Sequence, residues 1–365
     1  MRILHVTDCY LPRLGGIELH VRDLVHEQRA AGHDTRVATS TRRDDATDEP
    51  WVTRLTPGEL RALLRRELPD VVHAHVSVIS PLAMSATRHA ADLDLPVLVT
   101  VHSMWPSTPV LASVAGAALG LSRRAVLWSA VSHRAAVPVA AHLGPESPRP
   151  LVLPNAVDPS FWRVQHEGEE IPTIVSVMRM ARRKRPLALA RMLREVRDRV
   201  PADVALKAVI VGDGPRYGAL ARYVERHLAD WVVLPGRLDR TQIRDLYASA
   251  SVYVAPATLE SFGIAALEAR CAGLPVVASS RGGVGDFITP AVDGFLGADD
   301  HAMVDAITRL VTDRVLMSTM SARCRAVIPP LDWTAACAAS LDAYAQAAAL
   351  LPIRGTRPAL TGSAL

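Results

Sequence analysis

What most restricts this chain is a rhythm. Short apolar runs alternate with stretches that carry apolar residues at helical spacing, and the series is played twice. The first begins with a run at 3–7, passes the turn Leu14-Gly15-Gly16 and enters a stretch with Ile17, Val21, Leu24 and Val25 on one helical face, closed by Gly32. Further runs follow at 36–39, 71–76, 97–101, 126–131 and 151–153. The second series has strands at 174–177, 206–211, 232–234 and 252–255 with helices at 187–200, 217–228 and 243–250. Alternation of this kind demands βαβ units with right-handed crossovers and a mostly parallel sheet. Between the series, DPSFWRVQHEGEEIP at 158–172 interrupts with Pro, Gly and charge. The expected fold is α/β, two Rossmann-like doubly wound domains at 1–158 and 173–330 joined by a linker at 159–172. An Ala-rich helix at 331–351 is expected to pack back toward the first domain, and 352–365 to be a disordered tail. Such domains leave a central crevice, with ligands at the carboxyl ends of the strands.

The chain's 365 residues suit two domains, each with its own core. Only 4% of residues are aromatic, so those cores should be Ala, Val and Leu. With 41 basic against 37 acidic residues the net charge of +4 is too mild to imply nucleic-acid binding, and none is expected. Cys9, Cys271, Cys324 and Cys337 form no CxxC pair and fit small buried hydrophobes in a reducing compartment. The start runs straight into a strand with no secretory pattern, and a cytoplasmic location is expected. The uncharged stretch at 103–122 contains Pro106 and Pro109, which favours a buried helix over a membrane span.

Chemistry concentrates at 257–279, ATLESFGIAALEARCAGLPVVAS. Glu260 precedes a turn through Ser261, Phe262 and Gly263; Ile264 starts a helix that carries Glu268 and ends at 272–275, before a buried strand. The first N–H groups of a helix have no intrahelical partner and can face an anion, and Gly263 allows close approach to the main chain. A second cluster, VSVMRMARRKRPLAL, sets Arg179, Arg182, Arg183, Lys184 and Arg185 between a strand and a helix. Cations there suggest a diphosphate site. The alternative is a solvated basic loop, and the neighbouring Gly263 turn decides for phosphate.

Other features weigh less. Gly15-Gly16 exposes N–H groups toward the crevice, or is only a tight turn. Gly212-Asp213-Gly214-Pro215 completes no GxGxxG and is a strand-to-helix turn beside the crevice. His102 ends a strand where it would face the crevice. His73 and His75 alternate along a strand and are expected on opposite faces, unable to share one metal; with no HExxH or Cys cluster, no metal site is expected. Arg61, Arg65 and Arg66 beside Leu60, Leu63 and Leu64 could rest on an anionic membrane at the inner face of the plasma membrane, but an ordinary surface helix is preferred.

Taken together, the chain resembles glycosyltransferase family 4, retaining nucleotide-sugar-dependent transferases of the GT-B fold. The likeness runs nearly the whole length: PRLGGIELHVRDLVHEQRAAGHDTRV, VVHAHV, LVTVHS, SAVSH, VLPNAVDPSFW, VSVMRMARRKRP, IVGDGP, LPGRL and VYVAPATLESFGIAALEARCAGLPVVAS. Glu260 and Glu268 fit the family's E-x7-E pattern and Arg179 with Lys184 its R-x4-K. The resemblance implies that Glu268 bonds the donor ribose, while Glu260, Ser261, Phe262, Gly263 and Ile264 contact sugar and diphosphate. It further implies that Arg179 and Lys184 hold the diphosphate, that Gly15 and Gly16 approach phosphate or acceptor, and that His102 touches the donor sugar. It implies a GDP-mannose or UDP-sugar donor, a carbohydrate, small-molecule or lipid-linked hydroxyl acceptor, and no cofactor or metal. Three positions depart from the family: Ala156 after Asn155, Met178 before Arg179, and Arg185, each where glycine is frequent. Rival readings are a nucleotide-sugar epimerase on the same fold, a glycosidase using Glu260 and Glu268, and a catalytically silent nucleotide-sugar-binding subunit. The cationic cluster opposes the glycosidase.

Overall fold

In a computed structural model of the chain, residues 1–13, 15–42, 49–106, 125–144, 147–166 and 171–351 are described. The expected buried helix at 103–122 lies mostly outside them, and the expected tail at 352–365 wholly so. The chain forms two compact units. One takes Met1–Thr100 and, after the chain returns, the residues from Ala338 on; the other takes Val101 with the residues directly after it, and Ala130–Cys337.

The first sheet contains β1 (Arg2–Thr7), β2 (Asp34–Thr39), β3 (Val52–Arg54), β4 (Val71–Val76), β5 (Val97–Val101), β6 (Leu127–Ala130) and β7 (Leu151–Val152), in the order β3-β2-β1-β4-β5-β6-β7. Strand β1 runs parallel to both its neighbours, and β4 is buried throughout. Helix α1 (Gly16–Ala30) lays Val21, Leu24 and Val25 inward, as its periodicity requires. Helix α2 (Pro57–Glu67) starts with proline at its first position, where a missing N–H costs nothing, and Thr56 donates its backbone N–H to the Glu59 carboxylate at 2.7 Å. Its Leu60, Leu63 and Leu64 are buried while Arg61, Arg65 and Arg66 are exposed. The leucine face is thus spent on the core, as an ordinary surface helix has it. Helix α3 (Pro81–Ala91) packs beside α2.

One expectation about this sheet is corrected. Strand side chains alternate, so positions two apart share a face. His73 and His75 accordingly stand together, ring centroids 4.1 Å apart, with His5 of β1 at 5.1 Å from each. All three are buried. The imidazoles are spent on hydrogen bonds: His5 Nδ1 with His75 Nε2 (2.8 Å), His5 Nε2 with Gln28 Oε1 (2.8 Å), His73 Nε2 with Thr100 Oγ1 (2.7 Å) and His73 Nδ1 with the Tyr344 hydroxyl (2.9 Å). One nitrogen from each histidine lies within 4.8 Å of the others, close enough to consider a metal, and this is the one such group among the described residues. A cation there would have to displace the His5–His75 bond. The core is therefore not only Ala, Val and Leu; it holds a satisfied polar network.

Tyr344 lies on the last helix, Trp333–Ala349, and also accepts from Gln28 Nε2 at 3.0 Å, which fastens that helix to the first unit as expected. Burial lowers the pKa of His5 from 6.5 to about 4. The unfolded chain takes up this proton near 6.5 and the folded chain only near 4, so stability is full above 6.5, declines as pH falls through that window, and levels below it. The expected slope is on the order of 1 kcal/mol per pH unit. Urea midpoints between these pH values for the native chain and His5→Asn would check it: the native profile should fall more steeply, and parallel profiles would contradict the assignment.

The second sheet is parallel at every pairing: β8 (Thr173–Val177), β9 (Lys207–Val211), β10 (Val232–Gly236), β11 (Val252–Ala255), β12 (Val276–Ser279) and β13 (Gly294–Gly297), in the order β10-β9-β8-β11-β12-β13. The chain winds outward from β8 in one direction and from β11 in the other. The carboxyl ends of β8 and β11 are therefore adjacent at a topological switch point. The second unit also takes in Ala130 and the residues that follow it. Ser132 donates its hydroxyl to the Ser261 carbonyl (2.6 Å), the His133 N–H reaches the Asp286 carboxylate (2.8 Å), and Arg134 reaches the Arg281 carbonyl (3.2 Å). No helix among the described residues is long and apolar enough to cross a membrane.

Candidate active site

The site grows from the switch point. Beyond β8, Met178 and Met180 donate their N–H groups to the carbonyls of Val211 (3.0 Å) and Asp213 (2.8 Å). Arg179 between them is exposed and Met180 buried. Pairing of this kind brings main chain against main chain. A Cβ on Gly212 would lie 1.9 Å from the Met178 carbonyl oxygen, and Gly212 has φ +130°. The glycines after β9 thus serve first to seat the segment that carries Arg179.

The chain then makes a 3-10 turn at Arg182–Lys184 before Pro186 opens the next helix. From the neighbouring end of β11 comes the turn through Glu260. The Lys184 ammonium and the Glu260 carboxylate form an ion pair, with side chains 24% and 15% exposed. These residues are 76 positions apart in sequence, and strand order alone brings them together.

Gly263 caps the helix Ile264–Cys271 with φ +99°, and Val284 Cγ2 stands 2.7 Å from where its Cβ would be, so only glycine fits. The turn is held from outside. Gly283 donates its N–H to the Glu260 carbonyl (2.8 Å), Ser132 holds the Ser261 carbonyl, and the Ser261 hydroxyl donates to the His102 carbonyl (2.7 Å). His102 is buried, and burial lowers its pKa from 6.5 to about 3, so its imidazole is neutral at physiological pH. Phe262 is buried against Phe287, with ring centroids 5.3 Å apart, and so offers a ligand only its backbone. Ile264 and Glu268 are half-buried on the helix.

Of the sequence candidates, the second unit gathers Arg179, Lys184, Glu260, Ser261, Phe262, Gly263, Ile264, Glu268 and His102. Gly15 and Gly16 belong to the first unit, at the start of α1. There the Glu18 carboxylate, ion-paired with Arg13 at 3.1 Å, lies 2.5 Å from where a Gly15 Cβ would be. Arg185 leaves the expected cationic set: both its terminal nitrogens are bonded to Asp300, at 2.8 and 2.7 Å. Three contributors escaped the sequence reading. Ser132 and Gly283 act through the bonds above. Tyr253 donates its hydroxyl to the Val177 carbonyl at 3.0 Å; burial first, and then the charges of Glu268 and Glu260, push its pKa far up. A signal existed for Gly283, since SRGGVGD follows β12 with three glycines.

Two doubly wound parallel sheets, with cations and carboxylates gathered at the switch point of the second, fit the GT-B fold that the resemblance implies. Family comparison bears this out: residues 171–313 match the model described as Glycosyl transferases group 1, and residues 14–161 match Glycosyltransferase Family 4. The chain belongs to this family of glycosyltransferases. It is similar to the Phosphatidylinositol N-acetylglucosaminyltransferase gpi3 subunit of Schizosaccharomyces pombe, 26% identical over 340 residues that cover 84% of this chain and 72% of that protein. It is also similar to the Glycogen synthase of Mycobacterium tuberculosis, 25% identical over 396 residues, 94% of each. In fold it matches the Anabaena Alr3699/HepE crystal structure in complex with UDP, with a TM-score of 0.75 at 18% identity, over 94% of this chain and 100% of that one.

Proposed function

We propose that the protein transfers a hexosyl group, with retention, from a nucleotide-diphosphate sugar to a hydroxyl acceptor, without a metal. The observation that carries this reading is the Lys184–Glu260 pair beside the glycine-capped N-terminus of the helix Ile264–Cys271. Breaking the bond between the anomeric carbon and phosphate sends an electron pair to the diphosphate. Arg179, Lys184 and the N–H groups after Gly263 stand ready to stabilise that charge as it forms. The acceptor oxygen attacks the anomeric carbon from the same face, and its proton passes to the departing phosphate. Lys184 is held until then by Glu260, which also turns toward the sugar. His102, neutral, offers the sugar a hydrogen bond rather than a proton.

The Anabaena protein was crystallised with UDP, which supports uridine donors as the first to test. The name of the Schizosaccharomyces pombe relative includes phosphatidylinositol, which supports an inositol-bearing or lipid-linked acceptor. The test is incubation of the protein with UDP- and GDP-sugars and candidate acceptors in the presence of chelator. Transfer with the anomeric configuration kept is expected; an inverted product, or activity abolished by chelator, would contradict the reading.

Glu268 is the proposed ribose partner. Charge-assisted bonds to two hydroxyls are worth about 10- to 100-fold in affinity. Glu268→Ala should therefore weaken nucleotide binding by that factor in titration calorimetry, with turnover at saturation changed far less. Unchanged nucleotide affinity would remove Glu268 from this role.

A further inference from the structure

Arg185 stands where the resemblance leads one to expect glycine, and its backbone is in the left-handed region, φ +61° and ψ +43°. That conformation disfavours any side chain. At this φ the Arg185 side chain holds a specific set of partners. Its guanidinium bonds the Asp300 carboxylate in the parallel two-pronged manner at 2.8 and 2.7 Å, and donates to the Pro256 carbonyl at 3.1 Å. Asp300 opens the helix Asp300–Thr312; Pro256 directly follows β11 and leads into Glu260. Arg185 also closes the 3-10 turn itself, since its N–H donates to the Arg182 carbonyl at 3.1 Å. One side chain therefore ties the turn that carries Lys184 to the segment that carries Glu260.

We infer that Arg185 is a positioning residue: its clamp on Asp300 and Pro256 sets where Lys184 presents its ammonium to the terminal phosphate of the donor. The inference rests on the reading of Arg179 and Lys184 as a diphosphate site. Arg185 touches neither donor nor acceptor. A bidentate guanidinium is the group for this task, because its planar fork fixes direction as well as distance.

The test compares UDP with UMP, and GDP with GMP, by titration calorimetry on the full chain, in the native protein, Arg185→Gly, Asp300→Asn and Lys184→Ala. Glycine is at ease at this φ, so Arg185→Gly removes the clamp while relieving the backbone. The native protein should prefer the diphosphate. Arg185→Gly and Asp300→Asn should each lose on the order of 10-fold in diphosphate affinity, with monophosphate affinity unchanged and the melting temperature of Arg185→Gly equal or higher. A purely structural role would lower mono- and diphosphate affinity together with the melting temperature, and that result overturns the inference. So does an Arg185→Gly protein with its full diphosphate preference. Failure of the underlying site is distinguishable: Lys184→Ala keeping the preference, or a native protein without one, removes the diphosphate reading and the clamp with it.

Discussion

Lys184→Ala should reduce turnover by about 100- to 1,000-fold, the usual consequence of deleting one preorganised group that stabilises leaving-group charge. Arg179→Ala should act in the same direction. The reason lies in topology: the ends of β8 and β11 are neighbours, so the two segments deliver cation and carboxylate to one place. The fold should survive. The Lys184–Glu260 pair is partly exposed, with side chains 24% and 15% accessible, and such pairs contribute roughly 1 kcal/mol or less. Melting temperatures near the native value, alongside the lost turnover, are the expected result. Near-normal turnover in both variants would remove the two residues from the chemistry.

Gly212→Ala is expected to damage stability as severely as Lys184→Ala damages turnover. At φ +130° the new methyl would enter a region closed to L-residues and would meet the Met178 carbonyl oxygen at 1.9 Å. Neither is a flexible side-chain end, so the main chain must move. The cost is about 3 kcal/mol or more, a fall of roughly 10 °C in melting temperature. The same movement displaces Arg179, so activity at permissive temperature should fall too. Gly236→Ala is the control: its φ is +79° but nothing lies within 4 Å of the added methyl, and the loss should be about 1 kcal/mol. Equal melting temperatures for the two variants would show that close approach to Met178 is not what position 212 requires.

Much of the fold was legible because buried parallel strands are largely apolar runs, and 97–101 and 252–255 announce themselves. Strand β3, reading VTR and only half-buried, has no such run, and β13, reading GFLG, is broken by glycine at both ends; both lie at sheet edges. His73 and His75 were legible too, since the two-residue repeat of a strand puts them on one face, but the expectation had set them apart. The site was legible as chemistry and not as geometry. The spacing of Glu260 to Glu268 and of Arg179 to Lys184 is local and visible. The Arg185–Asp300 bond joins residues 115 apart, and the Ser132–Ser261 bond joins residues 129 apart. Charge alone placed Arg185 with the phosphate ligands; only the fold shows that its partner is a carboxylate.

The most direct measurement is the melting temperature of the purified protein against UDP-, GDP-, ADP- and TDP-sugars, in chelator without added metal. A ligand that binds the native state raises it by mass action, by about 3 kcal/mol of stability at one hundred times Kd. The account predicts a rise with one nucleotide class that is unaffected by chelator and lost in Lys184→Ala. No rise with any nucleotide sugar, or a rise equally large in Lys184→Ala, would contradict it.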